Sequence, residues 1–144
     1  IRILAGLLRP MAGTVERTGM VGLLDERPAL DEHQPLGTAL GFWTRLDPVC
    51  APLDRLGLDQ LLDVPVRYLS TGQRKRAALA RLIGQQAQVW LLDEPLNGLD
   101  TQAVALTEAL VAEHCASGGA AIIASHQSFD LPNMARLDLA DFAR

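Results

Sequence analysis

Two stretches decide the fold: Tyr68-Leu69-Ser70-Thr71-Gly72-Gln73-Arg74-Lys75-Arg76, and thirteen residues later Val89-Trp90-Leu91-Leu92-Asp93-Glu94-Pro95. The second is an apolar run ending in two acids, the pattern of a buried parallel strand whose first polar residues fall at its carboxyl end, where open α/β sheets bind ligands. Successive strand side chains point to opposite faces, so Asp93 and Glu94 can divide the work. One carboxylate can hold Mg²⁺ directly or through water while the other orients and deprotonates an attacking water. A plain reading, that both acids only cap the strand before Pro95, accounts for them in isolation. The first stretch reads as a capping box, with Ser70 at the N-cap and Gln73 at N3 of a helix. That leaves two oddities: Gly72 in the first helical turn, and three cations with no acid at a helix's positive end. Both suit an approaching phosphate, for which glycine opens the backbone amides and Ser70 offers a hydroxyl, although a solvated basic face would also explain the triplet.

Working outward, residues 70–83 are expected to be a strong helix, 89–92 a strand, 101–117 a long helix ending at Gly118-Gly119, and 120–125 a second buried strand. Strand, helix, strand with apolar strands predicts an α/β fold with a parallel sheet covered on both faces. Asn97-Gly98-Leu99-Asp100 forms a turn whose Asp100 caps the following helix. His126 follows Ser125 at another strand's carboxyl end, where an imidazole can be incidental, touch a terminal phosphate or steady a glutamate and its water. His33 and His114 read as loop and helix-surface residues. Upstream, residues 1–10 are expected to be helical up to Pro10, residues 15–24 to form two short strands hinged near Gly19, residues 36–46 an amphipathic helix with Phe42 and Trp43, residues 53–62 a short helix, and residues 134–142 an edge strand. The segment with Pro28, Pro35, Pro48 and Pro52 is the most irregular.

The 144 residues, 49% hydrophobic, suffice for one globular core. The 13 basic and 17 acidic residues give a net charge of −4, and the scattered cations disfavour a nucleic-acid partner. Cys50 and Cys115 have neither metal-ligand nor disulfide spacing, which points to a reducing compartment. No apolar stretch reaches the roughly 20 residues of a membrane span. No G-x-S-x-G elbow supports a serine hydrolase. The phosphate-loop pattern G-x-x-x-x-G-K-[ST] is also absent from these 144 residues. With Ile1 in place of an initiator Met, the sequence is expected to continue a longer chain, and by itself to bind ATP weakly or not at all.

Taken in order, Leu69-Ser70-Thr71-Gly72-Gln73 resembles the signature motif of ATP-binding cassette (ABC) ATPases, Leu91-Leu92-Asp93-Glu94-Pro95 their Walker B strand, Gly98-Leu99-Asp100 their D-loop and Ser125-His126 their switch histidine. Residues 1–15 resemble the helix and turn that follow the phosphate loop, so the resemblance spans the chain, and within the family it is nearest the haem-export branch of cytochrome c biogenesis. It implies a P-loop-type nucleotide-binding domain lacking its amino-terminal part, with residues 25–83 a helical subdomain ending in the signature helix and residues 84–144 the core with Walker B, D-loop and switch histidine. It further implies ATP and Mg²⁺ as ligands, Asp93 on the metal, Glu94 and His126 as catalytic groups, and Ser70, Thr71, Gly72, Gln73 and Asp100 as nucleotide-binding. A second ATPase subunit, arranged head to tail, and integral membrane subunits are the implied partners, the latter reached through residues 27–52 with Phe42 and Trp43 unless both aromatics instead pack in a small helical core. The implied location is the cytoplasmic face of the inner membrane. Thr71 departs from the family's usual Gly, and the Q-loop glutamine has no counterpart, since Asp25-Glu26-Arg27-Pro28 stands there and Gln34 comes too late. A non-catalytic subunit lending only a signature half-site is the alternative. The lack of coiled-coil arms or a second cassette speaks against a DNA-repair or ribosomal cassette protein.

Overall fold

The computed structural model describes residues 1–47 and 49–142. Its centre is a three-stranded parallel sheet in the order β1 (Val21–Leu24), β2 (Val89–Asp93), β3 (Ala120–Ala124), with β2 in the middle. Leu24 lies opposite Leu92, and Asp93 opposite Ala124. The unbroken apolar run of β2 is what a central strand requires: Trp90, Leu91 and Leu92 are all buried.

Helix α1 (Leu36–Trp43) and helix α2 (Thr71–Gly84) pack with β1 and β2 into one continuous core. Gly22 permits the approach of α2, because a Cβ there would collide with Leu82 Cδ1. Helix α3 (Thr101–Ala116) starts at Asp100, whose Oδ1 accepts the Ala103 amide at 2.8 Å, and buries Thr107, Leu110 and Val111. An Arg55–Glu113 ion pair with both guanidinium nitrogens engaged ties the segment after Pro52 to α3.

Several expectations are corrected. Residues 1–10 form consecutive hydrogen-bonded turns in place of a helix, with Gly6 at φ +80 interrupting any continuation. Only Val21–Leu24 of residues 15–24 is strand; Gly19, at φ +90, turns the chain before it. Residues 53–62 hold turns and a short 3₁₀ segment, Asp59–Leu61, because Gly57 at φ +61 breaks the helical path. Residues 134–142 contain a 3₁₀ turn at Leu139–Phe142 and no strand. The sheet is not covered on both faces throughout, since Ala120 and Ile122 of β3 are exposed. Pro48, one of the four prolines of the segment expected to be irregular, lies outside the described residues. Of the aromatic pair, Trp43 packs beneath the Arg81 guanidinium, 3.5 Å from its ring centre, and donates its indole N–H to the Ala29 carbonyl, while Phe42 is exposed.

His114 is no helix-surface residue either. It stacks on Trp90 with ring centres 4.0 Å apart and planes 5° from parallel. Burial pushes its pKa below the ordinary 6.5, so it is held neutral in the fold. The unfolded chain then binds the proton more readily, so stability is full above pH 6.5 and declines as the pH falls through 6.5 toward the lowered value. Thermal melting of His114→Phe, compared with the parent across this range, is expected to show a weaker acid destabilisation; identical pH profiles would count against it.

A candidate nucleotide site at the end of the central strand

The chain leaves β2 through Glu94, a non-glycine residue at φ +46. A left-handed residue of this kind costs of order 1–3 kcal/mol unless its surroundings compel it. Here they do. The Glu94 amide donates to the Ala124 carbonyl at 2.8 Å, adding a rung beyond the β2–β3 ladder. Its own carbonyl accepts from the Asn97 amide at 3.3 Å and from Lys75 Nζ at 2.5 Å. Its carboxylate Oε1 lies 2.7 Å from His126 Nδ1. A carboxylate oxygen only accepts, so Nδ1 is the donor in this contact, and the rest of the imidazole is largely exposed. The other oxygen, Oε2, is buried without a hydrogen-bond partner. A buried, unpaired carboxylate oxygen is costly, and such groups cluster where a ligand or water completes them.

The loop after β3 holds His126 in place. Phe129 is buried, the Asp130 amide donates to Glu108 on α3 at 2.9 Å, and Gln127 reaches Asn97 Oδ1 at 3.3 Å.

The second half of the site is the start of α2. Ser70 Oγ accepts the Gln73 amide at 3.2 Å and Gln73 Oε1 accepts the Ser70 amide at 2.8 Å, a complete capping box. Gly72 is not demanded by packing within the chain: an added Cβ would meet Leu99 Cδ2 at 3.6 Å and the Gly98 carbonyl at 3.9 Å, both ordinary contacts. Gly98, at φ +73, brings the D-loop turn against α2, where its Cβ would approach Thr71 Cγ2 to 3.0 Å. Thr71, Lys75, Asn97, Gly98, Asp25 and Glu26 line a cleft of about 380 Å³ between these parts.

The structure thus brings Glu94 and His126 together and sets Thr71 and Gly72 beside Gly98 and Leu99. Asp100 serves the backbone of α3, and Asp93 stands half-buried at the end of β2. The basic triplet is neither a solvated face nor three free cations. Arg74 donates to the carbonyls of Leu69 and Arg67, Arg76 is half-buried, and Lys75 is only 8% exposed. Lys75 was legible from phase, since it precedes the buried Leu79 and Leu82 by four and seven residues on one helical stripe. At the Q-loop position, Asp25 caps a turn to the Arg27 amide at 2.9 Å and pairs with Arg2 at 3.6 Å. Gln34 lies further along the chain, where its backbone carbonyl accepts the Val66 amide.

Among the described residues no group of three or more His, Cys, Asp or Glu could cage a metal. The half-buried Asp93 carboxylate at the strand end is of the kind that suits Mg²⁺, which keeps several waters and takes one or two carboxylates beside substrate phosphates.

Two adjacent carboxylates at the central strand's end, a histidine on one of them and a capped glycine-bearing helix alongside are the arrangement that the resemblance to ABC ATPases leads one to expect. The family model described as ABC transporter matches residues 1–97, and the chain belongs to that family. It is 59% identical over 142 residues to the cytochrome c biogenesis ATP-binding export protein CcmA of Novosphingobium aromaticivorans, covering 99% of this chain and 74% of that protein. It is 49% identical over 142 residues to the protein of the same name from Sphingopyxis alaskensis, covering 95% and 73% respectively. A solved ATP-binding subunit of an ABC transporter superposes with a TM-score of 0.75 at 18% identity, over 87% of this chain and 61% of that one, a likeness of fold. Among the described residues no helix is long and apolar enough to cross a membrane.

Gly98→Val is expected to cost about 1–3 kcal/mol, because a β-branched residue resists φ +73 and its Cβ presses on Thr71. Calorimetric melting checks this, and an unchanged midpoint would mean the turn has another conformation open to it.

Proposed function

We propose that the chain provides the signature, Walker B, D-loop and switch-histidine parts of the ATP-hydrolysing subunit of an ABC transporter in cytochrome c biogenesis, with haem export as its task. The observation that carries the reading is Glu94: strained at φ +46, steadied on one carboxylate oxygen by His126 and unsatisfied on the other. Oε2 keeps a lone pair unengaged by the protein, which is what a general base needs once water reaches it. His126 fixes the carboxylate's orientation and keeps Oε1 occupied, so the proton of the attacking water goes to Oε2. Asp93 would hold Mg²⁺, which supplies charge neutralisation on the phosphates when bound. The name shared by the relatives above supports the assignment to cytochrome c biogenesis.

Ser70, Thr71, Gly72 and Gln73 serve the nucleotide of a second subunit in a head-to-tail pair. Gly72 supports this, since the packing inside the chain leaves its lack of a side chain unexplained. A phosphate oxygen can come within reach of the first-turn amides of α2, where the helix dipole favours it. Asp100, which ends the D-loop and caps α3, is the remaining nucleotide-binding residue of this assignment. Integral membrane subunits complete the complex, with this chain peripheral on the cytoplasmic face, and the exposed Phe42 lies on the segment that faces them.

In the assembled ATPase, Glu94→Gln is expected to keep ATP binding while phosphate release falls by about 10²-fold or more, the usual worth of a positioned base. Unchanged turnover would remove Glu94 from the chemistry. Ser70→Arg is expected to abolish ATP-dependent pairing of subunits, read by light scattering, through bulk and charge at the phosphate approach; normal pairing would sink the assignment of the α2 terminus.

A further inference from the structure

Lys75 is the buried cation that the proposed chemistry leaves without a task. It is 8% exposed, on the inner stripe of α2, and its ammonium is spent on a backbone atom, the carbonyl of Glu94, at 2.5 Å. A lysine buried to this degree loses hydration, and burial does lower its pKa, with Glu26 and Glu94 opposing the shift. A methionine would fill the same stripe without that cost. The cation is therefore held for what it touches, and what it touches is the one peptide in the site that is conformationally strained.

We infer that Lys75 is a positioning residue for Glu94: by charge-assisted hydrogen bonding to the Glu94 carbonyl it holds that residue in its left-handed conformation and so aims the carboxylate. The inference rests on the reading of Glu94 as the base. Two hydrogen bonds fix the Glu94 backbone from the sheet side and the following turn, through the Ala124 carbonyl and the Asn97 amide. Lys75 is the bond that comes from α2, the helix whose first turn carries Ser70 and Gly72. Lys75 thereby links the peptide that carries the base to the helix whose N-terminus the proposed nucleotide site uses, five residues along from Ser70. Glu26, on the loop after β1, lines the same cleft as Lys75 and, like Glu94, favours the charged ammonium.

The test compares Lys75→Met, Lys75→Arg and Glu94→Gln in the assembled ATPase, with ATP as substrate. Lys75→Met is expected to lower kcat by about tenfold or more with KM for ATP within about twofold, because a misplaced catalytic group slows chemistry without weakening binding. Lys75→Arg, which keeps a cationic donor, is expected to recover most of the loss. Amide hydrogen exchange gives a readout free of activity: the Glu94 and Asn97 amides are expected to exchange faster in Lys75→Met while those of Leu91 and Leu92 stay protected. If Glu94→Gln is inactive but Lys75→Met keeps its kcat, or loses KM in step with kcat, the role of Lys75 is overturned and the base stands. If Glu94→Gln is fully active, the base falls and the role of Lys75 with it. Should Lys75→Met fail to fold, Lys75→Gln is read by the same two measurements, and protection at Leu91 lost together with that at Glu94 would mark a merely structural lysine.

Discussion

The arrangement turns on the last rung of the central strand. Glu94 donates its amide to the Ala124 carbonyl as though β2 continued, yet its φ of +46 swings the chain out of the sheet at that residue. A strand that simply ended would place the carboxylate along the sheet normal; one that turned with a glycine would leave nothing to aim. The strain, of order 1–3 kcal/mol, is tolerated because it is opposed by bonds from β3, from the following turn and from α2. Around this residue the other features become intelligible: Phe129 anchors the loop that presents His126, and Gly98 lets the D-loop turn lie on Thr71.

Much of this was readable in the residues. Ser70 and Gln73 specify a capping box by chemistry that is local to four residues, and the structure forms it with both bonds. The run from Val89 to Leu92 reads as a buried strand, and four apolar residues followed by Asp-Glu locate a ligand-facing edge. Asp100 as N-cap of α3 is equally local. Order along the chain then made the family legible although no single motif was decisive.

What was not readable depended on partners distant in sequence or on glycine conformations. Residues 1–10 and 53–62 have helical composition, but Gly6 and Gly57 take positive φ and end each path after about a turn. His114 looked like a surface residue because the Trp90 ring it stacks on is 24 positions away. The pairing of Glu94 with His126 spans 32 residues, and the sequence offered it only as one of three roles for that imidazole. The positive φ of Glu94 has no signal at all in the Asp-Glu-Pro string. Lys75 is the instructive miss, since its helical phase marked it as inward-facing while its charge and its basic neighbours suggested solvent or an anion.

The two tryptophans have a practical consequence. Trp43 sits under a guanidinium at the edge of the helical part, and Trp90 lies against an imidazole in the sheet, so each indole has its own polar neighbour and its own environment. Both belong to or pack on the same apolar cluster. The intrinsic fluorescence of the chain is therefore a pair of natural probes, one in each region. Removing either tryptophan in turn leaves a single emitter, and whether the two emitters lose their native spectra at the same denaturant concentration reports directly on whether the helical region and the sheet unfold as one unit.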